Sequence, residues 1–493
     1  EGLTMPIDSD VDHDVIIVGF GPAGSTLAGL LAKRGLDVLV IDRDTDIYPL
    51  PRAVHFDHEI MRVVQELGIA DALAADTIVN PGMDFLTAER DVLLSIRSGS
   101  VTSSGWPASV FFFQPDLEIR LRDRAIELGA RVRLGVAVDE VIGHDDHVEV
   151  LLADGSRVTA AYMVGCDGAR STVRRGLGIE MDDLNFEEPW LVVDLLLRDD
   201  TPPPSNLCYQ VCDPARPTTL VPMPPPRFRF EFMLIDGDDA ARITEPGSFR
   251  PLLEPWMNPD GADIERAAVY TFHGLIARQW REGRILLAGD AAHMTPPFLG
   301  QGMCAGTRDV ANLAWKLDRV LRSASPDALL DTYQTEREPN VRLIIQLAVD
   351  FGRLICTTDR AVAMQRDTDM LAARAAATHD VEPMGMPPLT PGPLILDGGG
   401  TQAIQPRVLG ERLDDLVGSE FAVVSRHPQV GDAAEWWRDR GAHVLDANSM
   451  PEVAEVLDRL DADVAVVRPD RYVLTSGATL TVPSPDTARL LTP

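Results

Sequence analysis

The sequence predicts an α/β protein: a Rossmann-like nucleotide-binding domain, interrupted by a β-rich insert and followed by a small α/β unit. Three observations predict this. A glycine-rich turn at residues 19–24 joins a β-branched apolar segment to a helical pattern. Alternating strand patterns, broken by prolines at 202–204 and 224–226, fill the middle of the chain. A Pro/Gly-rich stretch from 380 to 400 then precedes a last set of short strands and helices. At roughly 150 residues per domain, 493 residues provide for two to four such units and a large core.

In order, residues 14–18 read as a buried strand, 25–34 as a helix and 38–41 as a second strand, a β-α-β unit. Helical spacing recurs at 57–67 and at 115–128, where Gly129 provides a stop. Residues 132–134, 136–141 and 148–152 read as strands, and the turn Ala153-Asp154-Gly155 returns the last onto Val158. The β-rich texture covers 189–272, with strands such as 190–197 and 227–234. A buried parallel strand resumes at 285–288 and a long amphipathic helix runs over 303–321, so the first domain is discontinuous. Beyond the linker, 421–424, 444–446, 464–468 and 472–474 read as strands, with helices at 432–440 and 452–460. The expected boundaries are 12–80, 108–182 and 275–385 for the nucleotide domain, 81–107 and 183–274 for the insert, and 395–493 for the last unit.

Forty-five basic residues against 76 acidic ones leave a net charge of −31, a field that repels phosphate polymers and anionic bilayers. Nucleic acid and membrane are therefore not expected as partners. Only Lys33 and Lys316 are lysines, so nearly every cation is a guanidinium suited to bidentate contacts. The cysteines, Cys166, Cys208, Cys212, Cys304 and Cys356, are odd in number and scattered, without zinc-like spacing. No metal site is expected, and a reducing cytoplasm is the expected location. No apolar run reaches the ~18 residues of a membrane span.

Gly19-Phe20-Gly21-Pro22-Ala23-Gly24 follows a strand and opens a helix, the context in which this pattern binds a dinucleotide pyrophosphate at a helix N-terminus. Asp42, 18 residues beyond Gly24, ends the second strand where it can accept from ribose hydroxyls, with Arg43 beside it. The turn does not separate NAD from FAD. Two later segments do: Gly165-Cys166-Asp167-Gly168-Ala169-Arg170-Ser171 after a strand, and Gly289-Asp290-Ala291-Ala292-His293 after the β-rich insert.

With these three motifs in order, the chain resembles the flavin-dependent aromatic hydroxylases built like 4-hydroxybenzoate hydroxylase. Within that group it is most similar to 3-(3-hydroxyphenyl)propionate hydroxylase and related phenol and resorcinol hydroxylases. Trp190-Leu191-Val192-Val193-Asp194, Asn312-Leu313-Ala314-Trp315-Lys316-Leu317 and Pro469-Asp470-Arg471-Tyr472-Val473 carry this likeness. The resemblance implies an FAD-binding domain, a substrate-binding β-sheet insert and a thioredoxin-like C-terminal domain, here without a cysteine pair. It implies that Arg52 touches the pyrophosphate, Gln114 the ribityl or phosphate region, Asp167 the flavin, and Asp290 a ribityl or ribose hydroxyl. Pro297, Gly300, Gly302 and Met303 are expected against the flavin ring, where the helix start stabilises a reduced, anionic ring. Cys304 stands where many relatives have Asn, which removes a side-chain contact there.

The implied activity is an NAD(P)H-dependent monooxygenase that hydroxylates a phenol with O2, ortho to an existing hydroxyl, through a flavin C4a-hydroperoxide. NADPH and NADH are both open as transient donors, and a homodimer is compatible. His55 or Asp57 is expected to draw the phenol proton, although Asp57 also fits as a helix cap and His55 as a packed ring. Tyr209, Arg229, Tyr270, His273 and Pro296 are expected to line the substrate pocket, Arg229 facing a substrate carboxylate. A polyketide-tailoring hydroxylase of the same architecture, and a noncatalytic flavin-binding regulator, are the alternatives.

Overall fold

Val15, Ile16 and Ile17 are wholly buried because their strand, His13–Val18, has neighbours on both sides. The computed structural model describes residues 11–322, 325–376, 385–427 and 431–492. In the first sheet the parallel strands lie in the order Arg131–Leu134, Val38–Asp42, His13–Val18, Arg157–Gly165, Ile285–Leu287. The hairpin Val138–Gly143 and Val148–Leu152 extends it antiparallel from Arg157–Gly165. Residues over a hundred positions apart thus sit on adjacent strands, and Ala288 N donates to Gly165 O. The helices Pro22–Lys33, Gln114–Glu127 and Gly302–Arg322 pack together over this sheet.

A second sheet has the order His293–Met294, Ala262–Ala277, Met181–Leu197, Arg227–Met233, Thr218–Pro222, Cys208–Val211, Gly82–Leu86, Val92–Arg97. Its two longest strands, Met181–Leu197 and Ala262–Ala277, pair antiparallel along their length. The expected boundaries at 182/183 and 274/275 therefore fall inside continuous strands. Glu187, Glu188 and Pro189 pair in regular register with His273, Phe272 and Thr271, and the register shift falls before them, between Asp183 and Glu187. Strand Arg227–Met233 alternates cleanly: Phe228, Phe230 and Phe232 pack with Phe249 and Leu253 on one side, and Arg229, Glu231 and Met233 face the other.

The helices Asp331–Ile355 and Arg360–Ala376, which sequence patterns did not flag, follow the long helix, the first against Met181–Leu197 and Ala262–Ala277 and the second against Val92–Arg97. The last sheet, His443–Asp446, Ala422–Ser425, Val464–Val467 and Val473–Gly477, has one parallel and two antiparallel pairings. Buried polar pairs fasten it to the nucleotide domain. Arg62 holds Asp414 at 2.7 Å, Lys316 and Arg468 share Glu336 at 3.0 and 2.8 Å, and the Tyr472 hydroxyl donates to Glu59 at 3.0 Å. Burial lowers the Lys316 pKa to about 8 despite Glu336. Among the described residues no helix is long and apolar enough to cross a membrane.

Candidate flavin and substrate site

The glycine turn is shaped by two opposite demands. Gly19 has φ +100°, and a Cβ there would lie 2.4 Å from Cys166 O, so the turn abuts the second motif directly. A Cβ on Gly21 would meet nothing within 4 Å. Gly21 caps the helix Pro22–Lys33 without a side chain, leaving the helix start open to an anion. Ala23 touches Gly289 of the third motif, and Gly24 closes onto Gly19. Asp42 accepts from Phe20 N at 2.6 Å and Asp44 N at 2.9 Å. Each oxygen retains a lone pair for a ribose hydroxyl. Arg43 is exposed on the rim, 3.9 Å from Asp44.

Gln114 is buried, and its carbonyl accepts from Arg52 N at 2.9 Å and Ala53 N at 2.6 Å. It therefore shapes the segment that presents Arg52, whose guanidinium lies over the Tyr48 ring. The Arg52 side chain is exposed. Asp290 is reached by solvent although protein surrounds it, and burial raises its pKa against the pull of His293 and Arg52. An exposed cation and a solvent-reached carboxylate thus face one cleft. Asp167 accepts from the first-turn amides of Thr172 and Val173 through one oxygen, while its other oxygen is buried and unbonded among the described residues. These features fit a bound dinucleotide: an open helix start, a cation for phosphate, and acceptors for hydroxyls.

His55 joins the two loops that close this cleft. Its Nδ1 lies 3.2 Å from Gly300 O, and because a carbonyl only accepts, Nδ1 carries the proton and Nε2 is an acceptor. Burial lowers the His55 pKa, outweighing Asp57 and the Gly300 carbonyl, so the ring is neutral at pH 7. Gly300 sits at φ +63°, where a Cβ would stand 2.6 Å from His55 Nδ1. Pro296 is buried, Pro297 and Met303 are half-buried, and Gly302 begins the long helix. Phe298 packs against Trp190 and Phe272 of the second sheet, with centroids 5.6 and 6.1 Å away.

Asp57 is not a free base. Its carboxylate caps the helix His58–Glu66, accepting from Glu59 N at 3.0 Å and Ile60 N at 3.4 Å, and pairs with Arg308. Burial would raise its pKa, but Arg308, by charge and hydrogen bond, and His58 together outweigh burial and hold it at about 2. Arg308 also binds Glu59 at 2.5 Å and Gln301 at 3.0 Å, so one buried guanidinium ties the helix cap to the loop.

Three of the expected pocket residues are placed otherwise. Tyr209 lies on the face of the second sheet that packs with Phe228 and Phe249, away from the cleft. His273 shares the parity of Val269, on that same far face, whereas Tyr270 and Phe272 lie with Trp190 on the near one. Arg229 faces the cleft side but is spent: it bonds Asp194 through Nε and Nη2, Pro51 O at 2.6 Å and Arg52 O at 2.8 Å. It secures the Arg52 segment instead of a substrate carboxylate. Tyr270 accepts from Arg266 at 3.1 Å, and Arg266 also binds Pro51 O at 2.6 Å. Sequence reasoning missed Asp194, Arg266 and Arg308, whose partners are remote in the chain. The pairing of Asp194 with both arginines follows from strand register alone.

A nucleotide turn, a buried loop anchor and an aromatic-lined sheet on one cleft define a flavoprotein of the two-sheet hydroxylase architecture. Residues 12–348 match the family described as "FAD binding domain", and the chain belongs to that family. It is 40% identical over 486 residues, 93% of this chain and 91% of the relative, to a "Probable NADH-specific resorcinol 4-hydroxylase" of Rhodococcus jostii (strain RHA1). It is 35% identical over 510 residues, 93% of each chain, to a "3-(3-hydroxy-phenyl)propionate/3-hydroxycinnamic acid hydroxylase" of Burkholderia cenocepacia (strain HI2424). Among solved structures, aklavinone-11 hydroxylase with FAD and aklavinone superposes with a TM-score of 0.81 at 23% identity, over 98% of this chain and 99% of that one. That likeness concerns the fold.

Proposed function

We propose that the chain is an FAD-dependent monooxygenase that uses NADH and O2 to hydroxylate a phenol ortho to its hydroxyl. The observation that supports this is the His55 ring, which Gly300 O fixes through Nδ1 where the segment carrying Arg52 meets the prolyl loop, leaving Nε2 as an acceptor. When bound, FAD supplies the hydride acceptor and the oxygen carrier. The chain holds it: Gly21 and the helix start take the pyrophosphate with Arg52, Asp42 takes a ribose, and Asp290 takes a ribityl or ribose hydroxyl. Gly302 and Met303, at the start of a 21-residue helix, face the ring. His55 Nε2 takes the phenol proton and makes the ortho carbon electron-rich. Trp190, Phe272 and Phe298 wall off water.

The choice of NADH follows the Rhodococcus relative's name. The test is NADH oxidation by the FAD-loaded protein with substituted phenols, with product and peroxide measured together. Phenols should accelerate NADH oxidation, and His55→Gln should lower kcat by roughly 10²-fold. If no phenol stimulates NADH oxidation, the reading fails.

A further inference from the structure

The second sheet turns toward the cleft a charged group, Glu231, that none of these roles uses. Glu231 lies mid-strand on the face it shares with Arg229, beside Val192 on one neighbouring strand and Thr219 on the other, with Gln210 beyond Thr219. To one side of this strip, Arg229 and Arg266 hold the backbone of Pro51 and Arg52, and Cys208 and Val221 pack with Val54 and Phe111. To the other side, Trp190 lies against Phe298 of the prolyl loop. The segments over the two flanks are joined by the His55–Gly300 bond. The strip therefore faces the gap that His55 closes from the opposite wall.

The Glu231 side chain is only 10% exposed, yet its carboxylate makes no hydrogen bond among the described residues, and its nearest cation, Arg229 Nη1, stands 3.7 Å away. A buried carboxylate without a donor is costly, and burial raises its pKa against the nearby Arg229. The Thr219 hydroxyl donates to the Gln210 side-chain carbonyl at 2.7 Å, and neither neighbour is bonded to Glu231 among the described residues. The cations of this face are committed: Arg229 to Asp194 and two carbonyls, Arg266 to Asp194, Pro51 O and Tyr270, and Arg227 to Glu265, with the Nε of Arg227 and of Arg266 buried and unbonded among the described residues. Among the described residues this wall thus presents an acceptor that lacks a donor, and a single unbonded Nε on Arg227 or Arg266 is not the two-pronged fork that grips a carboxylate.

Resting on the phenol-hydroxylase reading, we propose that Glu231 receives a second hydroxyl of the substrate, so that the chain selects uncharged polyhydroxylated benzenes over phenols bearing a carboxylate. A neutral diol offers one O–H to His55 and another to Glu231. A carboxylated phenol sets a like charge against Glu231, or leaves it desolvated without a donor.

The test is calorimetric binding of resorcinol and of 3-(3-hydroxyphenyl)propionate to the FAD-loaded protein and to its Glu231→Gln variant, alongside turnover. Resorcinol should bind at least tenfold more tightly than the acid. Glu231→Gln should weaken resorcinol about tenfold, the worth of a charge-assisted hydrogen bond, and narrow the preference. Equal or tighter binding of the acid to the wild-type protein overturns the proposal, whether or not the variant folds. So does a variant with an unchanged preference, or failure of both compounds to bind. Turnover of both compounds without discrimination sinks this inference alone; discrimination in binding without hydroxylation sinks only the reading of the activity.

Discussion

The two sides of the second sheet are made from the same strands and differ in what they leave unfinished. On the far side, Phe228, Phe230 and Phe232 alternate with the polar residues of their strand and are covered by the helix Pro246–Leu253, giving a dry, closed core. On the near side the alternate positions carry Arg229 and Glu231, with Asp194 and Arg266 on adjoining strands. Here the partners are backbone carbonyls of a loop from the other domain. The far side stabilises the sheet itself, whereas the near side places the sheet against the loop that carries Arg52 and His55. Period-two alternation assigns both tasks to one seven-residue strand.

The sharpest way to break this contrast is Arg229→Ala. Arg229 is 3% exposed, and its loss leaves Asp194, 1% exposed, with only Arg266. Removing one partner of a buried ion pair costs about 3–5 kcal/mol, so the urea midpoint should fall markedly. FAD retention should fall with it, because the Pro51-Arg52 carbonyls lose their anchor. A variant with wild-type stability and flavin content would show that the near side is not a load-carrying interface.

Acid should discriminate the two sides next. Asp57, beside the same loops, has its pKa lowered from 3.8 to about 2 in the folded chain, where burial is outweighed by Arg308 and His58 together. A depressed carboxylate contributes stability above its unfolded pKa and loses it as pH falls through the folded one. Stability should therefore decline between about pH 4 and pH 2, by roughly 2–3 kcal/mol for this group. On the far side Asp84, buried beside Tyr209, pairs with Arg97 at 2.7 Å, and Asp57→Asn leaves that pair untouched. Urea titrations at stepped pH, compared with Asp57→Asn, should give a shallower acid slope in the variant.

Much of the frame was legible in the sequence because it rests on local patterns. The strand-turn-helix around Gly19, the return strand before Gly289 and the helix after Gly302 each announce themselves within about a dozen residues. What was legible of the site is its local geometry, as for the open turn at Gly21, whereas the bond of Gln114 to the Arg52 and Ala53 backbone was not foreseen. The site was not legible where the role depends on which face of a strand a residue takes. Tyr209 and His273 have suitable chemistry but odd parity relative to Trp190 and Phe272, and a bulge inside Met181–Leu197 makes parity hard to count from sequence. Arg229 looked free for the opposite reason: its partners, Asp194, Pro51 and Arg52, are 35 or more positions away.

That parity yields the smallest effect, and the cleanest comparison, from two tyrosines. Tyr209 packs on the far side with Leu220 and Phe228 among its neighbours. Tyr270 lies on the near side, its hydroxyl held by Arg266. Removing a hydroxyl that has no buried partner changes stability by under about 0.5 kcal/mol, so Tyr209→Phe should leave the urea midpoint and the phenol KM within twofold of wild type. Tyr270→Phe strips a partner from a buried guanidinium, and should cost about 1–2 kcal/mol and raise the rate of flavin loss. A Tyr209 variant with the larger change in KM would mean that the strand carries its side chains the other way round, and the assignment of Glu231 to the cleft would invert with it.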